Sequence, residues 1–160
     1  LRLHDMETIL DKLYNSGRFR RTLSYVLART GKAPFELFWD TGRALAATLK
    51  GGAPLDELTA AARAYFSRLD GVEQMALRDI MTCDRLATNA SGKLPASLRL
   101  PDKRLKSCIR EIETTENSGP IPKGTRGYAL LYSEKALLRA DYSQKDPVTG
   151  EYPLERFPLS

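Results

Sequence analysis

LDKLYNSGRFRRTLSY, residues 10–25, decides how the chain is read. Leu10, Leu13 and Tyr14 close one apolar stripe, and Phe19, Leu23, Val26 and Leu27 open the next. Between them Asn15-Ser16-Gly17 supplies residue types that tolerate a left-handed backbone. The pattern predicts two helices joined by a tight corner. That corner carries Arg18, Arg20 and Arg21 toward its surface as a basic RFRR cluster. No complete catalytic or cofactor constellation stands beside it or elsewhere in the 160 residues.

Working outward, Asp5 is placed to cap a first helix running to about Tyr14. Met6, Ile9, Leu10 and Leu13 form its buried face, and Leu3 is expected to pack back on Ile9 as a staple. The second helix, residues 17–29, ends at Gly31. Pro34 opens a third, in which Phe35, Phe38, Trp39, Gly42, Leu45, Ala46 and Leu49 recur at spacings of three and four. Aromatics so spaced are more often core than a base-stacking platform or flavin box, and core is the reading taken. After Gly51-Gly52, Pro54 starts a fourth helix with Leu55, Leu58, Ala62, Tyr65, Phe66 and Leu69 as its stripe. Asp70-Gly71 turns into a fifth, residues 72–88, presenting Val72, Met75, Ala76, Ile80, Cys83 and Ala87. On that helix Asp79 and Asp84 point about 140° apart, which does not suit two carboxylates facing one substrate. They read as surface or salt-bridged acids.

The character changes after Asn89. NASGKLPASLRLP reads as a loop leaving the bundle, and in residues 103–116 Leu105, Cys108, Ile109 and Ile112 fit a helix slightly better than a strand. From Gly127, YALLY and ALLRADY predict an antiparallel hairpin, with Tyr128, Leu130 and Tyr132 on one side of its first strand and Ala129 and Leu131 on the other. The last stretch carries a DPVTG turn and several prolines and reads as a surface clasp or tail. The fold class is therefore mainly α: an irregular bundle of about five helices over residues 1–90, then a loop-rich extension over 91–160 with an antiparallel β-hairpin, packed on the bundle as one domain.

Composition bounds the function. With 42% hydrophobic and 28% charged residues the chain is globular, and no apolar run approaches the roughly 20 residues of a membrane span. Nor does LRLHDMETIL resemble a secretory signal. The expectation is a soluble, cytoplasmic protein without membrane contact. Starting at Leu1 without Met points to a piece of a longer polypeptide, although a processed start would read the same. Cys83 and Cys108 are the only cysteines and form no CxxC pattern, and His4 is the only histidine, read as a linker residue. A structural zinc site takes about four Cys/His ligands and an iron–sulfur cluster three or four thiolates, so this chain alone supplies neither. Two reduced cysteines in or near a core are expected. The net charge of +5 arises from 25 basic and 20 acidic residues that are interspersed, densest at RFRR and at DKRLK, residues 102–106. Ordinary solvated helix faces are the reading taken, with nucleic acid or an acidic partner domain as the alternative.

Taken together, LDKLYNSGRFRRTLSYVL, APFELFWDTG, LRDIMTCDRLATNASGKLP and ADYSQKDPVTGEYPL resemble one arrangement: the C-terminal region, a domain of unknown function, of bacterial cobalamin-binding radical SAM proteins. The likeness runs from about Met6 to Pro153. It implies an upstream cobalamin-binding domain and a radical SAM barrel in the same polypeptide, with a [4Fe-4S] cluster, S-adenosylmethionine and cobalamin held there. None of those cofactors is expected in this chain, because CxxxCxxC has no match and His4 is followed by Asp-Met-Glu-Thr rather than a cobalamin motif. No family catalytic residue carries over. What carries over is a role: an accessory domain that packs on the barrel, helps to shape a substrate pocket, or recruits an unknown substrate or partner.

Three functions remain. The leading one is this non-catalytic domain of an iron–sulfur oxidoreductase, docking through the RFRR corner. The alternative is a basic nucleic-acid-binding module using Arg18, Arg20, Arg21, Lys103, Arg104 and Lys106. An independent enzyme ranks last: Tyr14, Ser24, Asp84 and Tyr142 are candidate acids, bases or nucleophiles, but none has an activating partner at a recognisable spacing.

Overall fold

The computed structural model describes residues 2–117 and 119–160, and among them six α-helices precede a three-stranded antiparallel sheet. The chain divides into two compact units, Leu1–Asp84 with Pro95–Leu98, and Arg85–Leu94 with Arg99–Ser160.

In the first unit, α1 (Leu3–Ile9) continues into a π-type turn over Leu10–Asn15. The helix begins before the expected cap. Asp5 sits in its first turn and reaches back to accept from the Arg2 N–H at 3.2 Å, which serves the helix start from inside. Leu3 is on the helix and 79% exposed, so it is no staple; His4 is also helical and exposed rather than a linker residue. Met6, Ile9 and Leu13 are buried as expected. α2 (Arg20–Thr30) ends at Gly31, whose left-handed φ of 68° lets its N–H reach the Leu27 carbonyl at 3.0 Å.

α3 (Pro34–Lys50) starts with Pro34 in its first turn, but its buried face is rotated from the expected one. Leu37, Phe38, Thr41, Gly42, Leu45 and Leu49 are buried, whereas Phe35 is 68% exposed and stacks on half-buried Trp39. Only Phe38 of the aromatic trio belongs to the core. α4 (Leu55–Phe66) follows Pro54 and buries Leu58, Ala62 and Phe66. Both α1 and α4 pack on α3. α5 (Gln74–Thr88) is capped by Glu73, whose carboxylate accepts from the N–H groups of Met75 and Ala76 at 3.1 and 2.6 Å. The expected stripe through Val72, Met75, Ala76 and Ile80 is only half-buried; Leu77 and Met81 are buried instead, with Cys83.

The second unit contains α6 (Leu105–Glu116), which decides the ambiguous segment as helix. Strands β1 (Arg126–Leu131) and β2 (Ala136–Asp141) form the expected hairpin, with Gly127 opposite Ala140 and Leu130 opposite Leu137. The expected tail is a third strand, β3 (Leu154–Pro158), antiparallel to β2 with Leu138 opposite Arg156. LERFP is short and bracketed by prolines, features that hide a strand in sequence yet suit a sheet edge, where a missing N–H is harmless. The DPVTG turn forms: Asp146 Oδ1 accepts from the N–H groups of Val148 and Thr149, and the Gly150 N–H returns to the Asp146 carbonyl. α6 packs on β1 and β2. Among the described residues no helix is long and apolar enough to cross a membrane.

Candidate interaction site at the first helix corner

The corner between α1 and α2 is built from residues 14–19. Ser16 Oγ donates to the Lys12 carbonyl at 2.7 Å and accepts from the Arg18 N–H at 3.3 Å, and the Ser16 N–H bonds the Asp11 carbonyl five residues back. Gly17, at φ 72°, then reverses the chain. π-type turns are rare and are found frequently at functional sites. Here the turn leaves Tyr14 59% exposed, its ring edge-on to Phe38 at 5.4 Å.

A groove of about 470 Å³ opens at this corner. Buried Leu23 and Phe38 and half-buried Leu27 give it an apolar base, while Tyr14, Asn15, Arg20 and Ser24 are its exposed members. Among the described residues its lining carries one guanidinium and no carboxylate. The volume is that of a site for one or two side chains or a small ligand.

The RFRR cluster therefore splits. Arg18 and Arg20 are exposed, and Arg20 borders the groove. Phe19 is buried, and Arg21 is turned toward the bundle. Asp84 Oδ1 accepts from the Arg21 N–H and from its Nη1, both at 3.2 Å; Oδ2 accepts from the Thr22 N–H and hydroxyl, both at 2.8 Å. Phe19, at the N-cap of α2, has no polar side chain, and a carboxylate from α5 takes over that duty. Burial pushes the Asp84 carboxyl above the usual carboxylate range, and the donors of Thr22 and Arg21 pull part of that shift back.

The second basic cluster lies in the other unit. Arg104, at the N-cap of α6, grips Asp102 through Nε and Nη2, the latter at 2.8 Å, and its N–H reaches the same carboxylate at 2.9 Å. These hydrogen bonds hold the Asp102 carboxyl down at about 2. Lys103 and Lys106 are exposed. Arg104 also borders a concavity of about 410 Å³, with Leu130, Leu131 and Lys135 among its lining.

Residues 1–136 match the family described as "Protein of unknown function (DUF4080)". The chain belongs to the DUF4080 family. No curated protein and no solved structure matches it. The DUF4080 match takes in the corner groove, both basic clusters and β1, and ends at the first residue of β2. This agrees with the resemblance at the level of a domain of unknown function.

Within the DUF4080 chain the sequence reading missed two buried cations, Arg78 and Arg139, and half-buried Arg63. Arg78, 2% exposed, donates from Nε to the Leu98 carbonyl at 2.8 Å and from Nη1 to Asp79 at 2.9 Å, while Arg63 Nη1 bonds the Ser97 carbonyl. These two arginines clip the segment Pro95–Leu98 to the first unit. In the second unit Arg139 of β2 lies buried among Glu116, Glu155 and the ring of Phe157. A signal existed for Asp84: Leu77, Met81 and Asp84 follow the three-four spacing of a buried face. Cys83 and Cys108 lie in different units and are not disulfide-bonded, and among the described residues no group of three or more His, Cys, Asp or Glu side chains gathers for a metal.

Proposed function

We propose that this DUF4080 chain is a non-catalytic accessory domain of a cobalamin-dependent radical SAM iron–sulfur protein, packing on the catalytic barrel of the same polypeptide or recruiting its substrate or partner. The setting comes from the sequence resemblance; cluster, S-adenosylmethionine and cobalamin belong to the upstream domains. The observation that carries the role is the corner groove. It offers apolar area, two aromatic rings and a guanidinium, which is recognition chemistry, without a nucleophile and base placed on each other. Meanwhile the acids that might have done proton chemistry, Asp79 and Asp84, are committed to Arg78, Arg21 and Thr22.

The test is anaerobic: the complete reading frame is expressed with and without residues 1–160, reconstituted, and compared for cluster absorbance and S-adenosylmethionine cleavage. A cluster in both forms, with turnover or substrate binding lost in the shorter one, is the expected result. Failure of the complete protein to assemble a cluster sinks the proposal.

A further inference from the structure

We infer that the outer face of α3 is a self-association surface, on which a second copy of this chain lays its own α3 antiparallel about a two-fold axis beside Trp39. The face covers about 100° of the helix surface and carries Phe35, Glu36, Trp39 and Arg43. Phe35 is 68% exposed and stacks on half-buried Trp39 at 5.9 Å, with the ring planes 23° apart. The core of this unit takes only Phe38 from the three aromatics of α3, so folding alone does not employ the stacked pair. Two rings turned to solvent are the side chains that anchor protein interfaces, because they bury much apolar area at little cost in rotamer freedom.

The charges beside the rings commit the face to a second copy. Glu36 and Arg43 are both exposed, and among the described residues neither is held in an ion pair. Seven residues separate them, about 10 Å along the helix, so they do not reach each other within one chain. Lys32 stands one turn before Glu36 and raises the local potential, but its ammonium donates to Asp40 at 2.9 Å. An antiparallel copy of α3 answers both charges at once. Glu36 meets Arg43 of the second copy, Arg43 meets its Glu36, and the midpoint between the two falls beside Trp39, so the axis that matches the charges also brings the two Trp39 rings together. This is the self-complementarity of an isologous interface. A partner of one sign, whether an acidic peptide or a phosphate backbone, would satisfy Arg43 and repel Glu36. The inference goes beyond the accessory-domain reading and does not rest on it: cluster assembly by the complete reading frame says nothing for or against a dimer.

One helix face makes a small interface, so the dimer belongs to the weak class and is sought by sedimentation velocity of the intact 160-residue chain from about 5 to 500 μM. A monomer–dimer equilibrium is expected. Trp39 is the one tryptophan of the chain, and its emission should move to shorter wavelength over the same range as the rings leave water. Glu36→Arg and Arg43→Glu each set like charges opposite one another and should weaken dimerisation at least about tenfold. The double variant Glu36→Arg/Arg43→Glu restores both pairs, as does an equimolar mixture of the two single variants, and each should dimerise like the parent chain. Both positions are exposed, so circular dichroism of all the variants should match the parent. A monomer at every concentration, a dimer that forms without moving the Trp39 emission, a dimer indifferent to both reversals, or a loss that the double variant does not recover would each overturn the inference.

Discussion

Arg20 and Arg21 are neighbours of identical chemistry in different places. Arg20 borders the groove, and Arg21 is bonded to a carboxylate 63 residues away. In sequence they are indistinguishable, because which face of α2 each occupies depends on where the corner stops turning. Asp84 decides it by collecting the N–H groups at the start of α2. Replacing Asp84 with Ala strands the Thr22 N–H and hydroxyl and the Arg21 N–H in a buried position, and should cost about 2–4 kcal/mol. Asp84→Asn keeps an acceptor oxygen and should cost less. The check is urea unfolding: a lower midpoint at unchanged slope for Asp84→Ala supports this account, and an unmoved midpoint refutes it. The same residue shows what the sequence concealed. An acid five positions from another on a helix says nothing about a distant helix terminus that lacks its own cap.

The elements were mostly legible where one chemical rule dominates. Pro34 before a three-four stripe started α3, and Gly31 ended α2 through its left-handed backbone. The faces were less legible, as Phe35 shows: stripe arithmetic admits several neighbouring rotations of a broad apolar helix, and the packing of α1 and α4 on α3 selects one. The strands carry a contact of the same kind. Gly127 of β1 lies under the ring of Tyr142, whose hydroxyl occupies the place a Cβ would take. Gly127→Ala should therefore destabilise the sheet by about 1–3 kcal/mol through overpacking. Adding Tyr142→Phe removes the nearest atom and should recover part of the loss, although the ring carbons at 2.8 and 3.0 Å still press on the new methyl. Melting temperatures of the two single variants and the double variant close the cycle; strictly additive losses would show that the two residues do not meet.

At the scale of the molecule, the strand that sequence reading took for a tail completes the sheet. β2 is central, and β3 contributes Glu155 and Phe157 to buried Arg139. A two-stranded hairpin is marginal in water, and removing one partner of a buried cation is costly. Deleting residues 154–160 should therefore strip hydrogen-exchange protection from the amides of β1 and β2. The amides of α3 and α4, in the other unit, should keep theirs. Uniform loss across both units would contradict this division, and unchanged protection in β1 and β2 would show that β3 is dispensable.

By itself the sequence determined much of the local structure: the starts of α3 and α4 at their prolines, the end of α2 at Gly31, the corner at Gly17, the hairpin, and the DPVTG turn. Those features follow from backbone preferences and from apolar period, which act over a few residues and are written in adjacent letters. It also placed RFRR at the corner. Only the tertiary structure decided that Arg21 would be drawn to Asp84 while Arg20 stayed beside an apolar groove, that Arg78 and Asp79 would be buried together, and that LERFP would pair with β2. The Arg21–Asp84 and LERFP–β2 pairings join residues distant in sequence, whereas Arg78 and Asp79 are neighbours that only the packing around them buries; in each case burial makes an uncompensated charge or an unpaired strand edge costly, and the fold supplies the partner within reach.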